Sequence, residues 1–73
     1  MTEYYFVIHE NGGGYKGVVY DNDGEMVEDS WEVEKILEKQ KFFYLGTEHG
    51  LLNIRSSEVK AFCGVDGKEK SED

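Results

Sequence analysis

The sequence predicts a small α+β fold, in which one helix packs on one face of an antiparallel sheet of four to five strands. Three observations predict it: short segments rich in aromatic and β-branched residues, turns rich in Gly, Asn and Asp, and one stretch with helical periodicity. The predicted element order is ββ(β)αβββ, with the third strand optional. With 73 residues, the chain is expected to form one domain over residues 1–63, followed by a flexible polar tail over 64–73.

The first half of the chain is predicted to be strands. Residues 4–9 are apolar on both faces of the pleat, which indicates an interior strand, and residues 15–20 form its hairpin partner beyond a glycine-rich loop. The run Asp21-Asn22-Asp23-Gly24 is a turn signal, because these residues tolerate positive φ or hydrogen-bond their own backbone. Residues 25–28 are then expected to pair back on residues 18–20.

A helix is predicted over about residues 30–41. Asp29, followed three residues later by Glu32, has the pattern of a capping box, and acids in a first turn suit the helix dipole. One face of this helix is expected to pack on the sheet: Val33, Ile36, Leu37 and Gln40. After it, the sequence predicts a strand over 42–45, a turn over 46–50, a strand over 51–55, a corner over 56–58 and a last strand over 59–63.

The composition argues against several classes of protein. Cys63 is the only cysteine, which suits a reducing compartment, and neither a signal peptide nor a long apolar run is present. Because Lys and Arg do not cluster, direct binding to nucleic acid or to a membrane surface is not expected. The sequence therefore predicts a cytoplasmic protein. Ten aromatic residues are more than so small a core holds easily, which predicts that some lie at an interface, such as that of a homodimer.

Two loop motifs match the consensus sequence of a nucleotide site or a metal site but lack other features that such a site requires. Residues 12–17 fit G-x-G-x-x-G, but a strand follows where the dinucleotide site requires a helix, and the chain is too short for the kinase version. If Gly24 took the sixth position of a calcium loop, Val19 and Ser30 would take the first and twelfth, and neither carries a carboxylate. A flexible hairpin loop and an acidic turn are the simpler interpretations.

Catalytic and metal-binding side chains are few. His9, His49 and Cys63 lie on three separate elements, without the short ligand spacing of a zinc site. A Cys–His pair would require them to meet in space, whereas Cys63 alone is typical of a small buried residue. We therefore predict that the protein is not an enzyme, and we predict neither a cofactor nor a metal site.

The charge is concentrated in one segment. Residues 21–34, called the acidic stretch below, carry seven of the sixteen acids and no Lys or Arg, and the net charge of the whole chain is −8. The stretch is interpreted either as solvated surface or as a docking surface for something basic. In the second interpretation the partner-binding residues are these: Asp21, Asp23, Glu25, Glu28, Asp29, Trp31, Glu32 and Glu34.

Trp31 lies within the acidic stretch and allows two arrangements. On the helical wheel it lies almost opposite the face formed by Val33, Ile36 and Leu37. It either folds back onto Met26 or Val27, or stays partly exposed among carboxylates. An exposed tryptophan beside charges would mark a protein-binding surface, because tryptophan is enriched among binding hot spots.

In its short length, strong acidity, single cysteine and lack of catalytic motifs, the chain resembles the small acidic inhibitors made by bacteriophages, which act as DNA mimics. The resemblance implies a partner that binds or encircles DNA, such as a nucleoid protein, a sliding clamp, a polymerase or a nuclease. The leading hypothesis is thus a non-enzymatic inhibitor that presents a carboxylate ridge to a basic surface. The alternative is a structural or regulatory module that binds through a sheet edge and exposed aromatics, with its acidity incidental.

Overall fold

The computed structural model describes residues 2–65, which form an α+β fold with one helix and one antiparallel sheet. The sheet has six strands rather than the four to five expected, because the optional third strand is present and the last segment is also paired. In chain order the elements are β1 (Glu3–Val7), β2 (Gly14–Tyr20), β3 (Met26–Val27), α1 (Ser30–Lys39), β4 (Phe42–Thr47), β5 (Gly50–Arg55) and β6 (Ala61–Val65), with a 3₁₀ turn over Ser56–Glu58.

Strand β2 organises the sheet, whose order is β5-β4-β2-β1-β6. Its first half pairs with β1, and its second half pairs with β4 on one edge and with β3 on the other. The change of partner falls at Gly17, where a Cβ atom would collide with the carbonyl oxygen of Gly46. Glycine at position 17 therefore lets the β4 backbone approach β2 closely enough to pair with it.

Helix α1 covers one face of the sheet. Val33 and Ile36 are buried, as the helical periodicity predicts, and Leu37 packs against the same cluster. Facing them across the core are side chains from four strands: Phe6, Val19, Phe43, Leu45 and Ile54. The cross-strand pairs Val19–Leu45 and Phe43–Ile54 place these residues on the same face of the sheet.

Both ends of α1 differ from the prediction. Asp29 is the N-cap residue, but its side chain makes no capping hydrogen bond, so the expected capping box with Glu32 is wrong. Instead, the Asp29 carbonyl oxygen accepts hydrogen bonds from the backbone N–H groups of Glu32 and Val33. The helix ends at Lys39, and Gln40 is extended, because the chain turns directly into β4.

The second half of the sheet is more regular than expected. Only Glu48 and His49 separate the paired residues Thr47 and Gly50, so the β4–β5 connection is a two-residue turn rather than a five-residue one. Strand β6 continues to Val65, two residues beyond the predicted boundary, because Gly64 and Val65 pair with β1. The rest of the predicted tail, residues 66–73, lies outside the described residues.

Candidate protein-docking surface

The acidic stretch follows the border of α1. It begins in the β2–β3 turn, continues through β3 and ends in the first turns of α1. The backbone N–H of Asn22 donates a 3.1 Å hydrogen bond to Oε1 of Gln40, which places the turn beside the C-terminal end of the helix. Glu28 and Asp29 precede its N-terminal end. The stretch therefore spans the length of the helix, roughly 15 Å for ten residues at about 1.5 Å each.

Asp21 holds the β2–β3 turn together. Its Oδ1 atom accepts hydrogen bonds of 2.9 Å from the backbone N–H groups of both Asp23 and Glu25. Its carbonyl oxygen accepts a third hydrogen bond from the backbone N–H of Gly24. The φ at position 24 is +89°, a backbone conformation that glycine adopts readily. The side chain is half-buried. Asp21 therefore already has a structural role, and it contributes less free carboxylate surface than its neighbours.

Most of the remaining carboxylates of the stretch face solvent. Glu32 is half-buried, whereas the others are exposed: Asp23, Glu25, Glu28, Asp29 and Glu34. The electrostatic field of two of these carboxylates acts on Tyr4, which is buried beneath the start of the helix. Burial raises the pKa of the Tyr4 hydroxyl above its ordinary value of 10.0, and the negative charges of Asp29 and Glu28 raise it further. The surface at the N-terminal end of α1 is thus electronegative despite the helix dipole.

Trp31 is exposed over 55% of its surface, which corresponds to the second of the two arrangements expected for it. One helical turn further on, the Lys35 ammonium lies 5.2 Å from the centre of the indole ring, within range of a cation–π interaction. The ring is therefore accompanied by a cation as well as by the carboxylates of the stretch. Met26, in β3, is also exposed.

The structure does not bring His9, His49 and Cys63 together. His49 lies in the β4–β5 turn and Cys63 on β6, so three strand spacings of about 4.8 Å separate their strands. His9 follows β1 and lies edge-on to Tyr15, with ring centres 5.9 Å apart, whereas Cys63 pairs with Tyr5 four residues away. Within residues 2–65, no group of three or more His, Cys, Asp or Glu side chains is placed to hold a metal ion.

The glycine motif at residues 12–17 forms a hairpin loop and the start of β2. Gly12 has a φ of +92°, and the carbonyl oxygen of Gly13 accepts hydrogen bonds from Ile8 and His9 that close the loop. A strand follows the motif rather than a helix N-terminus. Beside Gly17, a cleft of about 410 Å³ separates the first half of β2 from the β4–β5 turn, lined by Tyr15, Lys16, Thr47 and His49 among others.

Comparison of the chain with models of protein families, with curated proteins and with solved structures found no match. In the part of the chain that the structure describes, no helix is both long and apolar enough to cross a membrane. The interpretation of the surface therefore depends on its own geometry.

One surface was not predicted from the sequence, the face of the sheet opposite α1. Strand alternation and cross-strand pairing place a set of mostly apolar side chains on it, called the open face below. Its members are Glu3, Tyr5, Val7, Lys16, Val18, Tyr20, Met26, Phe42, Tyr44, Leu51, Asn53, Arg55, Ala61, Cys63 and Val65. The signal was present in the sequence, because β1, β2 and β4 carry apolar residues at successive positions rather than at alternate ones.

Proposed function

We propose that the protein is a non-enzymatic inhibitor or regulator, which presents the acidic stretch to a basic, normally DNA-binding surface of another protein. One observation carries the proposal: a row of exposed carboxylates, without a Lys or Arg in the segment, borders the full length of α1. Like charges repel one another and oppose compaction, and beyond the acids that suit the N-terminal end of the α1 dipole the row has no partner of opposite charge within its own segment. A basic partner would relieve the repulsion.

The average density of the charges fits this role. Five exposed carboxylates lie within the roughly 15 Å that the helix spans, which averages about one charge per 3 Å. One strand of B-DNA carries one phosphate per 3.4 Å of its axis, and proteins hold that strand largely through Lys and Arg. A surface built to bind phosphates at that interval therefore meets a comparable density of negative charge here.

Trp31 supplies what a charged surface alone lacks. Carboxylates steer a basic partner into place but contribute little net affinity once both surfaces lose their water. A half-exposed indole offers a large apolar area at low cost in side-chain entropy, and tryptophan is among the commonest hot-spot residues. The proposed docking surface thus combines electrostatic steering with an aromatic anchor.

The test uses purified DNA-binding proteins of the classes that the charge pattern suits: a nucleoid protein, a sliding clamp, an RNA polymerase and a nuclease. Binding of the full chain to at least one is expected, weakening steeply with salt and competing with duplex DNA. The variant D23K/E28K/E34K reverses three exposed acids of the stretch and should lose this binding. Its matched control, E10K/E48K/E58K, reverses three exposed acids elsewhere, so both variants change the net charge from −8 by +6 to −2.

The outcomes separate the proposal from general acidity. Loss of binding in the first variant alone supports a docking surface at the acidic stretch. If both variants weaken binding equally, the acidity acts without a defined site. If none of the four proteins is bound in low salt, the proposal of DNA mimicry is wrong.

A second candidate function is an interaction module in which the acidity is incidental. Met26 and Leu51 favour it, because they are exposed on the mostly apolar open face and large apolar patches mark interaction sites. Exposed Trp31 favours it as well, because tryptophan is enriched among binding hot spots. In that case W31A should weaken partner binding more than the triple charge reversal does, and the binding should change little with salt.

A further inference from the structure

The open face carries the clearest unexplained feature of the fold. Helix α1 occupies the other side of the sheet, and in residues 2–65 no second helix covers this one. Four of the ten aromatic residues lie on it: Tyr5, Tyr20, Phe42 and Tyr44. An antiparallel sheet with one solvated face normally alternates apolar and polar residues, so that the outer face is polar. Here the outer face is apolar as well.

Three of these aromatic side chains, Tyr20, Phe42 and Tyr44, form one platform. Phe42 and Tyr44 are edge-on, with ring centres 5.6 Å apart. The Tyr20 ring lies over Gly46, where an added Cβ atom would come within 3.1 Å of its Cε2 atom and 3.9 Å of Leu51 Cδ1. The platform extends to the edge of the molecule, where Leu51 is 62% exposed. Its side chains are therefore held in place before any partner arrives.

The charges of the strands also distinguish this face. The six strands of the described chain carry only three charged residues, Glu3, Lys16 and Arg55, and all three lie on the open face. Its formal charge is therefore +2 − 1 = +1, in a chain whose net charge is −8. Two copies of so acidic a chain repel each other through most of their surfaces. The open face is where that repulsion is weakest.

Residues 66–73 are not suited to cover this face. Residues 66–73, which follow β6, have the sequence DGKEKSED and contain no apolar side chain. If these residues covered the platform, its apolar side chains would pack against polar and charged ones, and several charges would be removed from water. A second open face offers the matching surface.

The dimensions suit a dimer. Five strands about 4.8 Å apart and about six residues long, at about 3.4 Å each, give a staggered face of roughly 480 Å² in plan. The accessible area of a face that bears large side chains exceeds its plan, and a specific interface needs about 600 to 1,000 Å² per partner. Small domains also commonly gain stability by association, because their single cores are marginal.

We propose that two copies of the chain associate through their open faces. The result is a β-sandwich with the sheets about 10 Å apart and one α1 helix on each outer side. This inference goes beyond the proposed function and does not require it. It would place two acidic stretches in one particle, with a formal charge of 2 × (−8) = −16.

Sedimentation equilibrium of the full chain over a range of concentrations tests the proposal. The mass is expected to rise from 8.4 kDa towards 2 × 8.4 = 16.8 kDa. Added salt should strengthen this association, because it screens the repulsion between two acidic copies. Salt should weaken the binding of a basic partner, so the two proposals respond in opposite directions and can fail separately.

Two variants locate the interface. L51K places a charge on the open face at a side chain that already contacts water, so folding should be unaffected, and the dimer dissociation constant should rise at least about tenfold. Y44K tests the centre of the platform, with circular dichroism to check its fold. W31K is the matched control, because Trp31 is similarly exposed but lies on the outer side of α1. A chain that stays at 8.4 kDa at millimolar concentration, or L51K and W31K variants that dimerise alike, would overturn the proposal.

Discussion

The Tyr4 hydroxyl donates a 2.7 Å hydrogen bond to the backbone carbonyl of Glu28, which joins the first strand to the residue two positions before α1. Tyr4 is buried and belongs to the core cluster, so its ring and its hydroxyl fix the same junction. The bond ties the chain that bears Glu28 and Asp29 to the sheet. The most acidic part of the surface is thereby held against the core.

We expect Y4F to reduce the free energy of unfolding by about 1 kcal/mol, because it removes one partly buried hydrogen bond and keeps the ring. Urea denaturation followed by circular dichroism measures the loss. The matched control is Y15F, which removes a hydroxyl from a tyrosine that is 41% exposed and should change stability little. Equal losses in the two variants would show that the Tyr4–Glu28 bond does not stabilise the fold.

The raised pKa of Tyr4 predicts a loss of stability in alkali. Because the folded protein holds this proton more tightly than the unfolded chain does, Tyr4 contributes its stabilisation in full below pH 10.0. The contribution is then lost as the pH rises through the higher, folded pKa. The free energy of unfolding should therefore fall more steeply above about pH 10 in the wild type than in Y4F. If the free energy of unfolding falls equally with pH in the two proteins, the pKa of Tyr4 is not raised in the folded state.

Substitution of Gly17 tests the change of partner along β2. In G17A the new Cβ atom would collide with the Gly46 carbonyl oxygen, so β2 and β4 must separate, and we expect a loss of about 2 kcal/mol or more. G64A is the matched control, because its Cβ atom would meet only Tyr4 Cε1 at 3.8 Å, an ordinary contact. Thermal unfolding of both variants measures the difference in stability between them. A G17A protein as stable as G64A would show that the close approach of the two strands is not required.

Asp21 and Asp23 should behave differently although both are acids of one turn. D21A removes the acceptor of two backbone hydrogen bonds and should cost about 1 kcal/mol. D23A removes an exposed carboxylate and should leave stability nearly unchanged. Urea denaturation of the two variants compares them at equal net charge. Conversely, partner binding should depend on Asp23 more than on Asp21.

The sequence predicts most of the local structure, because local signals determine it. The Asp21–Gly24 turn, the pairing of β3 and the buried helix face with Val33 and Ile36 all depend on neighbours within a few residues. The capping box fails although its residues are in place, because the backbone N–H of Glu32 donates to the Asp29 carbonyl oxygen and not to the Asp29 side chain. A side-chain rotamer is not encoded in residue spacing.

The sheet order and the open face depend on contacts between residues far apart in the sequence, so local patterns do not predict them. No local pattern indicates that β2 pairs with β1 up to Gly17 and with β4, on its opposite edge, from Val18 onward, since this depends on how closely Gly46 approaches. The apolar residues on both faces of β1 predict an interior position, which β1 has, between β2 and β6. They also have a second consequence. The one helix of residues 2–65 has ten residues and covers only one face of the sheet, so in this part of the chain the other apolar face is left without a cover.

The fluorescence of Trp31 should report the electrostatic field of the acidic stretch, because it is the only tryptophan and is 55% exposed. Exposed carboxylates concentrate cations near the indole and repel anions, an effect that is strongest at low ionic strength. We therefore expect caesium ions to quench its fluorescence at least about twofold more efficiently than iodide, once both are corrected for their efficiencies with free tryptophan.

Two variants define the source of this field. Lys35, 5.2 Å from the ring centre, opposes it, so K35M should increase the preference for caesium. D23K/E28K/E34K should abolish or invert the preference, whereas E10K/E48K/E58K, with the same net charge, should retain most of it. A preference that tracks net charge alone, equal in the two triple variants, would mean that the carboxylates of the acidic stretch do not act together at Trp31. The stretch would then be solvated surface rather than a docking site.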